Sequence, residues 1–123
     1  MSAAPTYITT TTNLNTLFES IRRHERISVN VRVAIELVEE NRAVFAQTSD
    51  LSLGGLAAYI STEMAKLDQV VVVIQLPYSR ETLRLPATIR NRNSFRYGLE
   101  FNEISAEEQE KIQKCLTTLK CMQ

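Results

Sequence analysis

The sequence has little of several residue types on which common catalytic and metal sites depend. Among 123 residues there are no tryptophans, three glycines, two cysteines and a single histidine, His24. The glycines form neither a GxGxxG motif nor a Walker loop, and His24 has no neighbouring cysteine or histidine with which to bind a metal. His24 also lacks an acid placed to orient it as a general base. We therefore predict a non-catalytic protein without a metal or a cofactor.

Long apolar runs and an excess of one charge are also missing. The longest apolar run, residues 70–74, is far shorter than the roughly 20 residues that span a bilayer, and the N-terminus lacks a signal-peptide pattern. Fourteen basic residues balance fourteen acidic ones, whereas proteins that bind long nucleic acid carry a basic excess. We expect a cytoplasmic protein that neither inserts into a membrane nor binds long nucleic acid.

The two cysteines do not suit a disulfide. Cys115 and Cys121 are six residues apart in a predicted helix, about 9 Å along its axis. That separation exceeds what a disulfide bridges, so we expect both thiols to be reduced and structural.

The apolar fraction of 44% and the charged fraction of 23% are typical of a soluble globular protein, and the length fits one domain. We interpret residues 1–12, with four consecutive threonines, as a flexible tail and residues 13–123 as a single domain. The domain begins with apolar residues at helical spacing, which predict a short amphipathic helix: Leu14, Leu17, Phe18 and Ile21.

From residue 28 the apolar period changes to two, which is typical of half-buried strands. Tight turns at residues 39–42 and 91–94 separate some of these strands, and no helix lies between them. Ser105 to Glu108 then has the form of a capping box and starts a terminal helix. This mostly β pattern predicts an antiparallel barrel or sandwich of six strands, at residues 28–37, 43–49, 56–60, 70–76, 82–90 and 95–101.

The chain uses ten arginines but only four lysines, and three of the arginines lie in the segment IRRHER, residues 21–26. A second unusual segment, DLSLGG, follows the second strand at residues 50–55. If the first two strands form a hairpin about residues 39–42, residue 50 returns beside residue 28. The pairing therefore predicts a site made from both segments.

The side chains of these segments suit an anionic purine nucleotide. Arginine presents a planar fork of donors that binds phosphate, matches the guanine edge and stacks on a base. An aspartate accepts from guanine N–H groups, a serine hydroxyl donates to phosphate, and glycines permit positive φ and close backbone approach. The candidate nucleotide-binding residues are Arg22, Arg23, Arg26, Asp50, Ser52, Gly54 and Gly55.

The ordered pair of motifs, RxxxR at residues 22–26 and DxSxxG at residues 50–55, resembles the signature of the PilZ domain family. The segment YGLEF, residues 97–101, and the terminal helix resemble the family's closing elements. The resemblance implies a six-stranded antiparallel barrel with a C-terminal helix, acting as a receptor for the bacterial second messenger cyclic di-GMP. It further implies that Arg22 and Arg26 bind phosphate and guanine, Asp50 and Ser52 hold a guanine edge and phosphate, and Gly55 shapes the turn.

Several points stay open at the sequence level. Apolar Ile21 directly precedes the motif, which favours one ligand per chain. Ligand binding is expected to order the N-terminal segment and so to signal to a downstream protein, with His24 and Glu25 as spacers. Two alternatives are a PilZ-like adaptor without nucleotide binding, for example in type IV pilus assembly, and an OB-like single-strand binder. The remaining arginines expected on the outer face, any of which could join the site, are Arg84, Arg90, Arg92 and Arg96.

Overall fold

The computed structural model describes residues 25–122, in which seven strands precede one long helix. The strands are β1 (Ile27–Ser28), β2 (Arg32–Leu37), β3 (Arg42–Leu51), β4 (Gly55–Tyr59), β5 (Gln69–Gln75), β6 (Thr82–Asn93) and β7 (Arg96–Phe101). A 3-10 turn, Val38–Glu40, joins β2 to β3, and the helix α1 spans Ala106–Met122. The predicted tail and N-terminal helix lie outside the described residues.

The strands close into an antiparallel barrel. Their order is β1-β3-β2-β5-β6-β7-β4, and β4 also pairs with β3, which closes the six strands β2 to β7. The short strand β1 pairs with the same edge of β3 as β2 and continues it beyond residue 31. The predicted six-stranded antiparallel barrel with a C-terminal helix is confirmed.

Alternating apolar residues fill the barrel, as their period of two predicts. In β5, Val70, Val72 and Ile74 are buried, while the valines between them are half-buried. Helix α1 adds one buried stripe, made of Ile112, Cys115, Leu116 and Leu119. The capping box forms: the Ser105 N–H donates to Glu108 Oε1 at 2.9 Å, and the Glu108 N–H donates to Ser105 Oγ at 3.1 Å. Helix and barrel therefore share one core.

The first predicted strand is interrupted where the sequence pattern shows no break. Residues 29–31 separate β1 from β2, and the buried hydroxyl of Thr48 bridges the gap. It donates to the Val29 carbonyl at 2.7 Å and accepts from the Val31 N–H at 2.9 Å. The side chain thus replaces ladder bonds that the interruption removes, which alternation in the sequence does not reveal.

The predicted turn at residues 91–94 is wrong in its position. Strand β6 continues to Asn93, which pairs with Arg96, so the turn consists of Ser94, with φ 61°, and Phe95. Phe95 is consequently exposed instead of belonging to the inward aromatic row, whereas Tyr97 and Phe101 are buried as predicted. The polar end of β6 resembles a turn in the sequence because residues 90–93 are all exposed.

Candidate functional site

The two sequence motifs meet where β1 pairs with β3. Ser28 lies opposite Asp50 and Ile27 opposite Leu51, which confirms that the chain returns residue 50 beside residue 28. Arg26, immediately before β1, donates from Nη1 to Asp50 Oδ1 at 2.7 Å. Residues 24 positions apart in the sequence therefore form one ion pair.

A β-bulge sets the direction of the Asp50 side chain. In β3, Ala46 and Thr48 are buried, so strict alternation would also turn Asp50 toward the core. The register shifts between Thr48 and Asp50, and Ser49 is the extra residue. Leu51 then becomes the buried residue, and the Asp50 side chain retains 13% exposure at the surface. The bulge therefore directs the carboxylate outward, as bulges near functional sites often do.

A second arginine, Arg96 in β7, holds the other side of Asp50. Its Nη2 lies 2.9 Å from Asp50 Oδ2, and its Nε donates to Ser49 Oγ at 3.2 Å. Arg96 reaches β3 across β4, where the residue opposite Asp50 is the small Ala57. Each carboxylate oxygen thus faces one guanidinium, and about two of its roughly four lone-pair sites stay available to a ligand.

A cleft of about 240 Å³ opens beside this ion-pair cluster. Its opposite wall contains Arg90, whose Nε donates to Glu100 Oε1 at 2.7 Å. Arg90 is the extra residue of another bulge, between Ile89 and Asn91. The cleft brings four predicted site residues together with a wall from β6 and β7, and its lining is Arg26, Ser52, Gly54, Gly55, Arg90, Asn91, Gly98, Leu99 and Glu100.

The Ser52 hydroxyl lines the cleft but has an internal partner. Strand β3 ends at Leu51, and the buried Ser52 hydroxyl donates to the Gly55 carbonyl at 3.1 Å. The backbone N–H of Ser52 donates to the same carbonyl at 2.8 Å. The hydroxyl can therefore turn toward a ligand and leave the carbonyl with a hydrogen bond, which keeps the cost of releasing it small.

Comparison with known protein families gives a match over most of the chain. The model of the PilZ domain family matches residues 20–118. The chain belongs to the PilZ domain family. No curated protein matches the chain.

Solved PilZ domains share the fold at low sequence identity. The PilZ domain of CeSA from a cellulose-synthesizing bacterium is 21% identical, with a TM-score of 0.64 over 78% of this chain and 98% of that chain. The PilZ domain of YcgR from Escherichia coli with c-di-GMP is 18% identical, with a TM-score of 0.67 over 82% and 92%. The PlzA protein of Borreliella burgdorferi in complex with c-di-GMP is 17% identical, with a TM-score of 0.59 over 94% and 50%.

The glycines of the PilZ motif act differently from the expectation. None of the described glycines has a positive φ, so Gly54 and Gly55 do not use the positive φ that a glycine permits. A Cβ on Gly55 would lie 2.0 Å from the Leu99 carbonyl oxygen. The close approach that requires a glycine is therefore that of β7 against β4, since these strands pair at Gly55.

The other arginines divide into two groups. Arg96 contacts Asp50 and Arg90 lines the cleft, whereas the sequence placed both on the outer face and left open whether they join the site. Arg84 pairs with Glu36 at 2.6 Å and Arg92 with Glu63 at 3.4 Å, away from the ion-pair cluster. Only the strand order could have found Arg96, because it lies 46 positions from Asp50.

The N-terminal half of the PilZ arginine motif falls outside the described residues, namely Arg22, Arg23 and His24. Glu25, expected to be a spacer, instead accepts from Lys120 Nζ of α1 at 2.6 Å. Within residues 25–122 no group of three or more histidine, cysteine, aspartate or glutamate side chains could hold a metal ion. No helix in that stretch has the length and apolar character needed to cross a membrane.

Proposed function

We propose that the chain is a non-catalytic receptor for cyclic di-GMP. The observation that carries the proposal is the contact between the two motifs, Arg26 with Asp50, beside a cleft that Ser52 also lines. PilZ domains are known as c-di-GMP receptors, and the YcgR and PlzA structures contain this ligand. The ligand has two guanines and two phosphates, which match a carboxylate and a set of guanidinium groups.

Each side chain of the cluster has a separate task in this proposal. Arg26, with half of its side chain exposed, turns its guanidinium toward phosphate and the guanine face. Asp50 accepts from guanine N–H groups with its remaining lone pairs, and Ser52 donates to a phosphate. Arg96 keeps Asp50 paired while Arg26 turns to the ligand, so the carboxylate never loses all its partners. The other proposed site residues are Arg22, Arg23, Gly54 and Gly55.

The signal would pass through the segment that carries the arginine motif. Binding a dianion fixes residues 22–26 against Asp50 and Ser52, and so repositions the residues before them. A downstream protein reads this change. Since cyclic di-GMP is an intracellular messenger, the receptor would work in the cytoplasm, with one ligand per chain.

Calorimetry with cyclic di-GMP tests the receptor and the site separately. Arg26→Ala removes a charge-assisted contact of roughly 1.5–3 kcal/mol, so its affinity should fall at least about tenfold. Arg42→Ala is the matched control, because Arg42 is equally exposed and ion-paired, with Glu40 at 2.9 Å, at the other end of β3. It should bind like the original chain.

The outcomes distinguish the alternatives. No binding heat with the original chain would overturn the receptor proposal and favour an adaptor that uses the same fold without a nucleotide. Normal binding by Arg26→Ala would keep the ligand but refute the assigned site. Two bound nucleotides per chain would contradict the proposed stoichiometry.

A further inference from the structure

Three large aromatic side chains lie exposed together on the outer face of the barrel, apart from the nucleotide cleft. Phe45 is 64% exposed, Tyr59 53% and Phe95 57%. Together with Arg32 they line a cleft of about 360 Å³, and we call these four residues the aromatic surface. Exposed clusters of large apolar groups on a folded domain commonly mark interaction sites.

Paired strands hold the aromatic surface in place. Gln47 lies opposite both Arg32 in β2 and Tyr59 in β4. The Ile60 N–H donates to the Phe95 carbonyl at 2.8 Å, which ties the β6–β7 turn to the end of β4. Since neighbouring strands of a closed barrel supply most of its residues, the surface is largely preformed, which lowers the entropy cost of docking.

Arg32 gives the aromatic surface an unbalanced positive charge. Its guanidinium carbon lies 3.9 Å from the centroid of the Phe45 ring. No carboxylate of the described residues lies within ion-pair distance of Arg32, and no aspartate or glutamate lines the cleft. By contrast, six other arginines pair with carboxylates: Arg26, Arg42, Arg84, Arg90, Arg92 and Arg96.

We propose that the aromatic surface docks a segment of a partner protein in which apolar anchor residues stand beside aspartate or glutamate. Aromatic and arginine side chains contribute most binding energy at protein interfaces. The guanidinium fork of Arg32 is complementary to a carboxylate. This partner site is distinct from the nucleotide site and does not depend on cyclic di-GMP binding.

Charge separates this occupant from the other candidates. Two copies joined through this surface would bring Arg32 of each copy to an interface without a carboxylate in its lining. A single strand of nucleic acid needs several cations along its phosphates as well as stacking rings, and Arg32 is the only cation in the lining. An acidic, apolar protein segment satisfies both the rings and the charge.

The aromatic surface borders the nucleotide site through one residue. Arg96 pairs with Tyr59 across β4 and β7, and its guanidinium contacts Ser49 and Asp50. A ligand that alters the Asp50 contacts therefore acts one side chain away from Tyr59. This continuity puts the docked partner next to the nucleotide site.

The probe for the test is a displayed library of random 16-residue peptides, selected on the full chain. Selected peptides should combine Phe, Leu or Trp with Asp or Glu, and one of them is then synthesised for fluorescence anisotropy. Phe45→Asp and Arg32→Glu should each weaken its binding at least tenfold. Tyr78→Asp, at a position that is 67% exposed and lines a different groove, should leave it unchanged.

A charge exchange makes the test specific to the ion pair. The same peptide with Lys in place of its acidic residues should bind the original chain at least tenfold more weakly and should regain affinity for Arg32→Glu. Cyclic di-GMP binding by Phe45→Asp should remain normal, which separates failure of this proposal from failure of the receptor function. Enrichment of no peptide, or of basic peptides, would overturn the proposal.

The occupant is identified by photochemical cross-linking from position 45, with Phe45 replaced by benzoylphenylalanine. A cross-link to the peptide is expected. Cross-links to residues 1–24 of the same chain, or between two copies, would instead assign the surface to this protein itself. Binding of a 15-nucleotide single strand that Phe45→Asp abolishes would assign it to nucleic acid, and either result would overturn the proposal.

Discussion

The Asp50 carboxylate is held by two arginines that are far apart in the sequence. Arg26 precedes the first strand and Arg96 opens the last one, yet both reach one carboxylate at 2.7 and 2.9 Å. If Arg26 leaves to bind ligand, Arg96 alone keeps the carboxylate in place. We infer that Arg96 is a positioning residue.

Arg96→Ala should therefore weaken cyclic di-GMP binding without removing a ligand contact. A partly exposed ion pair contributes about 1 kcal/mol, which corresponds to roughly fivefold in affinity. The matched control is Arg84→Ala, which removes a similar pair with Glu36 away from the cluster. Calorimetry on both variants checks this, and equal affinities would refute the positioning role.

The two cysteines differ in their surroundings, although sequence reasoning treated them alike. Burial raises the pKa of the Cys115 thiol, whereas Cys121 is exposed. In native protein at pH 7.5, iodoacetamide should therefore label Cys121 first, and Cys115 should react at a comparable rate only after unfolding. Peptide mass mapping over time measures both rates. Equal native rates would show that Cys115 is not protected.

The raised pKa of Cys115 also predicts how the stability of the protein changes with pH. Because the unfolded thiol ionises at lower pH than the folded one, the free energy of unfolding should fall as pH rises through the unfolded pKa, about 8.5. Cys115→Val should lose this part of the dependence while keeping the volume. Denaturant unfolding at pH 7.5 and 9.5, compared between the two proteins, checks it. An identical pH dependence in both would contradict the assignment.

At the level of elements, the junction between β1 and β2 controls where Arg26 stands. The Thr48 hydroxyl satisfies the Val29 carbonyl and the Val31 N–H in the interruption between these strands. β1 itself contains two residues, so the junction supplies much of its support. The buried Thr48 side chain thus affects both the position of Arg26 and the stability of the fold.

Thr48→Val should lower the free energy of unfolding by about 1–3 kcal/mol, because two half-buried backbone groups lose their partner. It should also weaken cyclic di-GMP binding by loosening Arg26. Urea unfolding and calorimetry measure the two effects. Thr82→Val, an exposed threonine at the start of β6, is the control and should change neither. Unchanged stability of Thr48→Val would mean that water replaces the hydroxyl.

Alternation in the sequence predicted most strands, because one face of each is buried in the barrel. It could not predict the bulges at Ser49 and Arg90, since a bulge depends on how the partner strand is paired. For a similar reason the sequence placed the β6–β7 turn at residues 91–94, whereas the turn consists of Ser94 and Phe95. Beyond the barrel wall both faces of a strand are exposed, and its polar residues then resemble a turn.

For the whole molecule, the closed sheet explains which part of the site could be predicted. The first hairpin follows from local sequence, so Arg26, Asp50 and Ser52 could be brought together in advance. Arg96 enters only because β4 pairs with both β3 and β7. Closing the barrel pairs strands that are far apart in the sequence, and no local sequence pattern predicts such a pairing.

Ligand binding should be visible across the molecule as ordering. Adding cyclic di-GMP should slow amide exchange in residues 14–28, where the motif segment joins β1. It should also raise the free energy of unfolding by about 2.7 kcal/mol at 100 times the dissociation constant. Exchange mass spectrometry and thermal unfolding measure these effects. At the same ligand concentration Arg26→Ala, whose affinity is about tenfold lower, should gain only about 1.4 kcal/mol. Unchanged exchange in the original chain would refute the proposed relay.

Gly55 has a bearing on how other sequences with this motif are interpreted. Its missing side chain makes room for the Leu99 carbonyl of the neighbouring strand, so the barrel needs this glycine whether or not a nucleotide binds. A barrel that had lost its ligand would still be expected to keep it. Finding the glycine in a sequence therefore indicates the fold, and the arginine with its aspartate partner is the better indicator of nucleotide binding.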